Sequence, residues 1–143
     1  MVTKPIQDEV KPSSVARVKR ATFDRLAKKA KAEREVTLEL EGDDGELEEV
    51  TLLFRAIGAK QYDDLIAKNP PDAKQKINGD IYNVHTFAPA LIAVCSIEPQ
   101  LTYNEAKAIW DDENWSRGEV MTLFSSCVEL CNKGLNIPFI GSA

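Results

Sequence analysis

Hydrophobic residues recur along this chain at two different periods, and the change of period divides it. Val15, Val18, Thr22, Leu26 and Ala30 follow one another at steps of three and four, with Phe23 and Ala27 beside them. Lys19, Arg20, Arg25, Lys28, Lys29 and Lys31 fill the other faces, so 14–34 reads as one basic helix with a thin apolar stripe. The pattern then alternates. Val36, Leu38 and Leu40 are interleaved with Thr37, Glu39 and Glu41, and Val50, Leu52 and Phe54 alternate again after Gly42-Asp43-Asp44-Gly45. Period two on both sides of a glycine-rich turn predicts a β-hairpin, 36–41 paired with 47–56, with Gly45 free to take positive φ. Leu47 is out of phase with Val50, which predicts a bulge near Glu48 or Glu49.

After Ile57 the period returns to 3.6. Tyr62, Leu65 and Ile66 predict a helix over 59–68, stopped by Asn69-Pro70-Pro71. Residues 70–83 read as a loop with at most one helical turn after Pro71, and Asn78-Gly79-Asp80 as a tight turn. A helix over 86–97 is expected to start at Thr86, with Pro89 in its first turn, where a missing N–H costs nothing. Thr102-Tyr103-Asn104-Glu105 and Ser116-Arg117-Gly118-Glu119 both fit the capping box. They predict helices over 103–112 and 117–133, with Gly134 as the stop. Trp110, Trp115, Phe87, Leu91, Phe124 and Val128 are the expected core. The fold class is therefore α+β: one β-hairpin followed by a small bundle of about four helices, preceded by a basic N-terminal helix. The expected organisation is a disordered N-terminus over 1–13, the basic arm over 14–34, a globular domain over 35–133 and an apolar tail over 134–143.

Charge sharpens this division. Residues 1–34 carry ten Lys/Arg and four Asp/Glu, a net +6, and the remainder carries −11. A basic arm precedes an acidic body that should repel nucleic acid and anionic membranes. No run approaches the length of a membrane span, and the first residues contain no apolar secretory core, so a cytoplasmic location is expected.

Candidate chemistry is sparse. His85 is the single histidine and lies at a predicted helix start. Cys95, Cys127 and Cys131 form no C-x-x-C pair. Cys127 and Cys131 are spaced i, i+4 on the apolar stripe of the last helix, as packing thiols would be. A zinc site built from His85, Cys95, Cys127 and Cys131 is the alternative, and the less favoured one. The acidic clusters Asp43-Asp44, Asp63-Asp64 and Asp111-Asp112-Glu113 match no calcium-loop spacing, and no glycine-rich phosphate loop is present. No cofactor and no catalytic residue are expected.

Several segments resemble a known family. Leu52-Leu53-Phe54-Arg55-Ala56-Ile57-Gly58-Ala59-Lys60-Gln61-Tyr62-Asp63-Asp64-Leu65, Asn69-Pro70-Pro71, and Thr86-Phe87-Ala88-Pro89-Ala90-Leu91-Ile92-Ala93-Val94-Cys95-Ser96 are similar to stretches of the tail assembly chaperones of long-tailed, siphovirus-like bacteriophages. Trp115-Ser116-Arg117-Gly118-Glu119-Val120-Met121-Thr122-Leu123-Phe124 is the most specific of them. The resemblance covers about residues 36–132. It implies a non-enzymatic partner that binds the long helical tape measure protein, helps tail tube protein polymerise around it, and then leaves. It also implies a place in the host cytoplasm, absence from the mature virion, and in many cases a longer frameshifted form of the same chain. Leu135, Ile137, Phe139 and Ile140, outside the resemblance, are candidate partner-contact residues on the ground of their apolar character. Two alternatives remain open: a nucleic-acid-binding adaptor using the basic arm, and a structural tail or head-completion protein retained in the virion.

Overall fold

A computed structural model describes residues 18–133. The chain divides into two units, Met1–Ala30 and Lys31–Ala143. In the described part of the first, α1 covers only Phe23–Ala27, capped by Thr22 Oγ1, which accepts from the Arg25 N–H. The expected helix over 14–34 is thus five residues long where it is described. Glu33 and Arg34, the end of that expected helix, lie in a strand instead. The physical reason is that, among the described residues of its unit, nothing covers the stripe: Phe23 is 81 % and Leu26 64 % exposed. A helix without tertiary burial does not propagate.

The second unit starts with a hairpin, β1 (Glu33–Glu41) and β2 (Leu47–Arg55), paired antiparallel from Glu33↔Arg55 to Glu41↔Leu47. The register is continuous, so the bulge expected near Glu48 is not there. The turn absorbs the phase change. Gly45 N–H donates to the Gly42 carbonyl at 2.9 Å, Gly42 N–H donates to Glu46 O at 2.8 Å, and Gly45 sits at φ 81°. This three-residue loop with a left-handed glycine matches the strand twist. Leu47 therefore faces outward, 67 % exposed, while Val36, Leu38, Leu52 and Phe54 face the core. A third strand, β3 (Ser96–Glu98), extends the sheet in the order β1-β2-β3. It was not anticipated: three residues are too few to show alternation.

Helices cover the inner face. They are α2 (Ala59–Ala67), α3 (Ala73–Ile77), α4 (Val84–Cys95), α5 (Tyr103–Asp111) and α6 (Arg117–Cys131). Both expected capping boxes are formed. Thr102 Oγ1 accepts from Glu105 N–H at 3.1 Å while Thr102 N–H donates to the Glu105 carboxylate at 2.9 Å, and Ser116 and Glu119 do the same at 3.1 and 2.9 Å. α3 carries a third box, between Asp72 and Gln75.

α4 differs from expectation at its start. Its cap is Asn83, whose Oδ1 accepts from His85 N–H at 3.0 Å, and Thr86 lies inside the first turn with its hydroxyl donating to the Asn83 carbonyl. Pro89 is consequently in the second turn, where it leaves the carbonyl of exposed His85 without its intrahelical donor. Asn83 wins as the cap because it is tied twice more. Its N–H donates to Asn69 O at 2.9 Å, and its Oδ1 also accepts from Gln75 Nε2 at 3.2 Å.

α4 and α6 pack on each other, α6 also lies on β1 and β2, and α4 meets α2 and α5. Phe54, Phe87, Leu91, Leu123, Cys95 and Cys127 are fully buried between these layers. Phe87, Leu91 and Phe124 belong to the core as expected, whereas Trp110, Trp115 and Val128 are only half-buried at its margin.

Candidate functional site

Phe87 is the centre of an aromatic group. Tyr82 stacks on it at 4.3 Å, and Tyr62 and Phe124 meet it edge-on at 5.8 and 6.0 Å. Phe124 in turn meets Trp110 edge-on at 6.1 Å and Tyr82 at 6.2 Å. Such offset and edge-to-face contacts suit the ring quadrupoles. Burial raises Tyr62 and Tyr82 above the ordinary tyrosine value. Asn132 Nδ2 donates to the Tyr62 hydroxyl at 3.2 Å, which partly opposes the rise at Tyr62.

On the solvent side of this group lies an open groove of about 280 Å³, lined by Tyr82, Met121, Phe124, Ser125, Val128 and Glu129. It exists because α6 carries two apolar stripes. Val120, Leu123, Cys127 and Leu130 enter the core. Met121, Phe124 and Val128, at i, i+3 and i+7, form an adjoining face that the core does not cover fully. Ser125, which also lines the groove, has its hydroxyl satisfied by the Met121 carbonyl at 2.6 Å. A second groove, about 580 Å³, lies where the hairpin tip meets the α5–α6 loop. Leu40, Leu47 and Trp115 are its apolar part, and Glu39, Glu41 and Glu119 rim it.

The thiols come together at the other end of α4. Cys95 Sγ is 3.7 Å from Cys131 Sγ, with Cys127 adjacent, and all three are free. The Cys95 thiol is pushed up to about 12, first by its hydrogen bond with Cys127, which favours the protonated form, and further by burial; its bond with Cys131 opposes the rise. Cys131 is raised as well, by its hydrogen bond with Cys95 and by burial, against a contrary pull from the Ile57 backbone. High-pKa, packed thiols are poor nucleophiles. His85 cannot join them: it sits at the first turn of α4 and Cys95 at its last residue, about 15 Å away at 1.5 Å per residue. Among the described residues no group of three or more His, Cys, Asp or Glu is arranged to hold a metal ion.

Leu135, Ile137, Phe139 and Ile140 lie outside the described residues. The groove along α6 was missed in the sequence. Its signal was the second stripe at 121, 124 and 128, hidden because Phe124 belongs to both stripes. Among the described residues no helix is long and apolar enough to cross a membrane. No protein-family model, no curated protein and no solved structure matches the chain.

Proposed function

We propose that this chain is a phage tail assembly chaperone: a non-enzymatic protein that holds a helical, apolar segment of the tape measure protein and promotes polymerisation of tail tube protein around it. The observation that carries the proposal is the open apolar groove of Tyr82, Met121, Phe124 and Val128 along α6. An amphipathic helix laid in such a groove buries its apolar face by a common recognition mode. The acidic body around it, −11 over residues 35–143, opposes aggregation of a bound apolar client.

The segments that resemble the family support the same reading through what they build. Phe54, Phe87 and Leu91 form the core, and Ser116 and Glu119 fix the start of α6. They are scaffold residues that position the groove. The apolar tail residues Leu135, Ile137, Phe139 and Ile140 are proposed to contribute to the client contact. The site of action is the host cytoplasm, with the protein absent from the finished virion.

Co-expression with the tape measure protein encoded in the same genome tests the proposal. The expected outcome is that the tape measure protein moves into the soluble fraction and co-purifies with this chain. Equal solubility with and without the chain, and no complex at micromolar concentration, would refute it.

A further inference from the structure

We infer that the acidic groove at the hairpin tip receives the basic arm of a second copy of this chain. The groove, about 580 Å³, has an apolar floor of Leu40, Leu47 and Trp115. Leu47 is 67 % exposed there. Its walls are negative. Glu39, Glu41 and Glu119 line it, and residues 39–49 carry seven Asp/Glu and no Lys/Arg. The occupant that suits such a groove is short, apolar on one face and cationic around it. The described arm has that form. Phe23 and Leu26 stand three residues apart on α1, on one face, and both are exposed. Residues 18–31 carry six Lys/Arg against one Asp. Among the described residues, none of these cations and none of the tip carboxylates is in an ion pair. Two surfaces of opposite sign, each around an uncovered apolar centre, complement one another in charge and in polarity.

Chain length makes the occupant a second copy. Ala32 is fixed at the start of the sheet, where its carbonyl accepts from Ala56 N–H at 2.9 Å. Leu40 lies farther along β1, about 26 Å from Ala32 at about 3.3 Å per residue. Leu47, paired with Glu41, lies beyond it. Extended chain from Ala27, the end of α1, to Ala32 spans at most about 17 Å, and α1 itself adds about 6 Å. The arm is therefore too short to lay Phe23 and Leu26 on the groove of its own chain.

Arm and groove are different surfaces, so the contact is heterologous. Two copies that exchange arms close on each other, and copies that do not exchange add in a chain. This groove is not the one assigned to the client, so the inference stands apart from that reading.

Sedimentation equilibrium of the full chain tests it, from micromolar to roughly 500 μM, in about 50 mM and about 500 mM salt. The expected result is a mass that rises with concentration in low salt and falls back toward the monomer in high salt, where exposed charges are screened. Glu39→Lys with Glu41→Lys, and separately Lys28→Glu with Lys29→Glu, should each weaken association about tenfold or more. All four side chains are exposed, so the core is untouched. Mixed in equal amounts, the two variants should associate again. The reversed arm then meets the reversed groove, and the native arm meets the native groove. A monomer throughout in low salt, association that neither variant weakens, or variants that do not rescue one another on mixing would overturn the proposal.

Discussion

Phe87 of α4 and Phe124 of α6 meet edge to face, ring centroids 6.0 Å apart and planes at 88°. This pair joins the two helices that carry most of the core, and Tyr82 and Trp110 each touch it from the solvent side. Phe87→Ala and Phe124→Ala should each cost about 3–5 kcal/mol, the range for emptying a buried aromatic site. Because the two rings share one contact, the double variant should lose less than the sum, by about 0.5–1.5 kcal/mol. Equilibrium denaturation in urea measures all three. Strict additivity would show that the rings are neighbours without a coupled contact.

A second expectation concerns alkaline pH. Cys95 ordinarily titrates near 9.0 and is raised to about 12 in the fold, and Cys131, Tyr62 and Tyr82 are raised too. A group whose folded value lies above its unfolded value binds its proton more tightly when folded. Its contribution is therefore fully present below the unfolded value and is lost as pH rises through the folded one. Stability should be flat with respect to these groups up to about pH 8 and fall between about pH 9 and 12. Denaturation midpoints across that range check this. Cys95→Ala with Cys131→Ala should flatten part of the slope while lowering stability at neutral pH through lost packing.

The start of α4 separates two readings of the chain. Asn83→Ala removes the acceptor used by His85 N–H and Gln75 Nε2, and should cost about 1–2 kcal/mol. It should also raise amide exchange across 69–83, since Asn83 joins α2's end and α3 to α4. Asn83→Asp keeps the acceptor and should be nearly neutral. Thr86→Ala, the cap expected from the sequence, removes only a hydroxyl bond to the Asn83 carbonyl, and should cost less than about 1 kcal/mol. Thermal denaturation of the three variants ranks them.

These cases show what was legible in the sequence and why. The hairpin, its Gly45 turn and the boxes at Thr102 and Ser116 were readable because each is decided within a few residues, by alternation or by capping chemistry. Asn83 was not, since its advantage over Thr86 comes from Asn69 and Gln75, partners brought to it by the fold. β3 was hidden because Ser96–Glu98 is strand only by pairing with Leu53 and Phe54. The basic arm was read as one long helix from periodicity, yet Glu33 and Arg34 join β1, where Glu33 faces Arg55 at 2.7 Å and pairing outweighs helical propensity. The groove escaped for a related reason. Whether Met121 and Val128 fill a core or line an open face depends on where Tyr82 stands, and Tyr82 is placed by its stacking on Phe87.

The central claim is that the α6 groove holds an apolar helical client, and a calorimetric titration tests it most directly. The full chain is titrated with an amphipathic helical segment of the tape measure protein, alongside Met121→Glu and Val128→Glu. Both side chains are half-buried at the groove, so charge there should leave the core intact. The predicted result is saturable binding with a negative heat-capacity change, weakened about tenfold or more by either variant, a difference of about 1.4 kcal/mol. Absence of binding up to roughly 100 μM, about 5.5 kcal/mol, or binding that neither variant weakens, would contradict the claim.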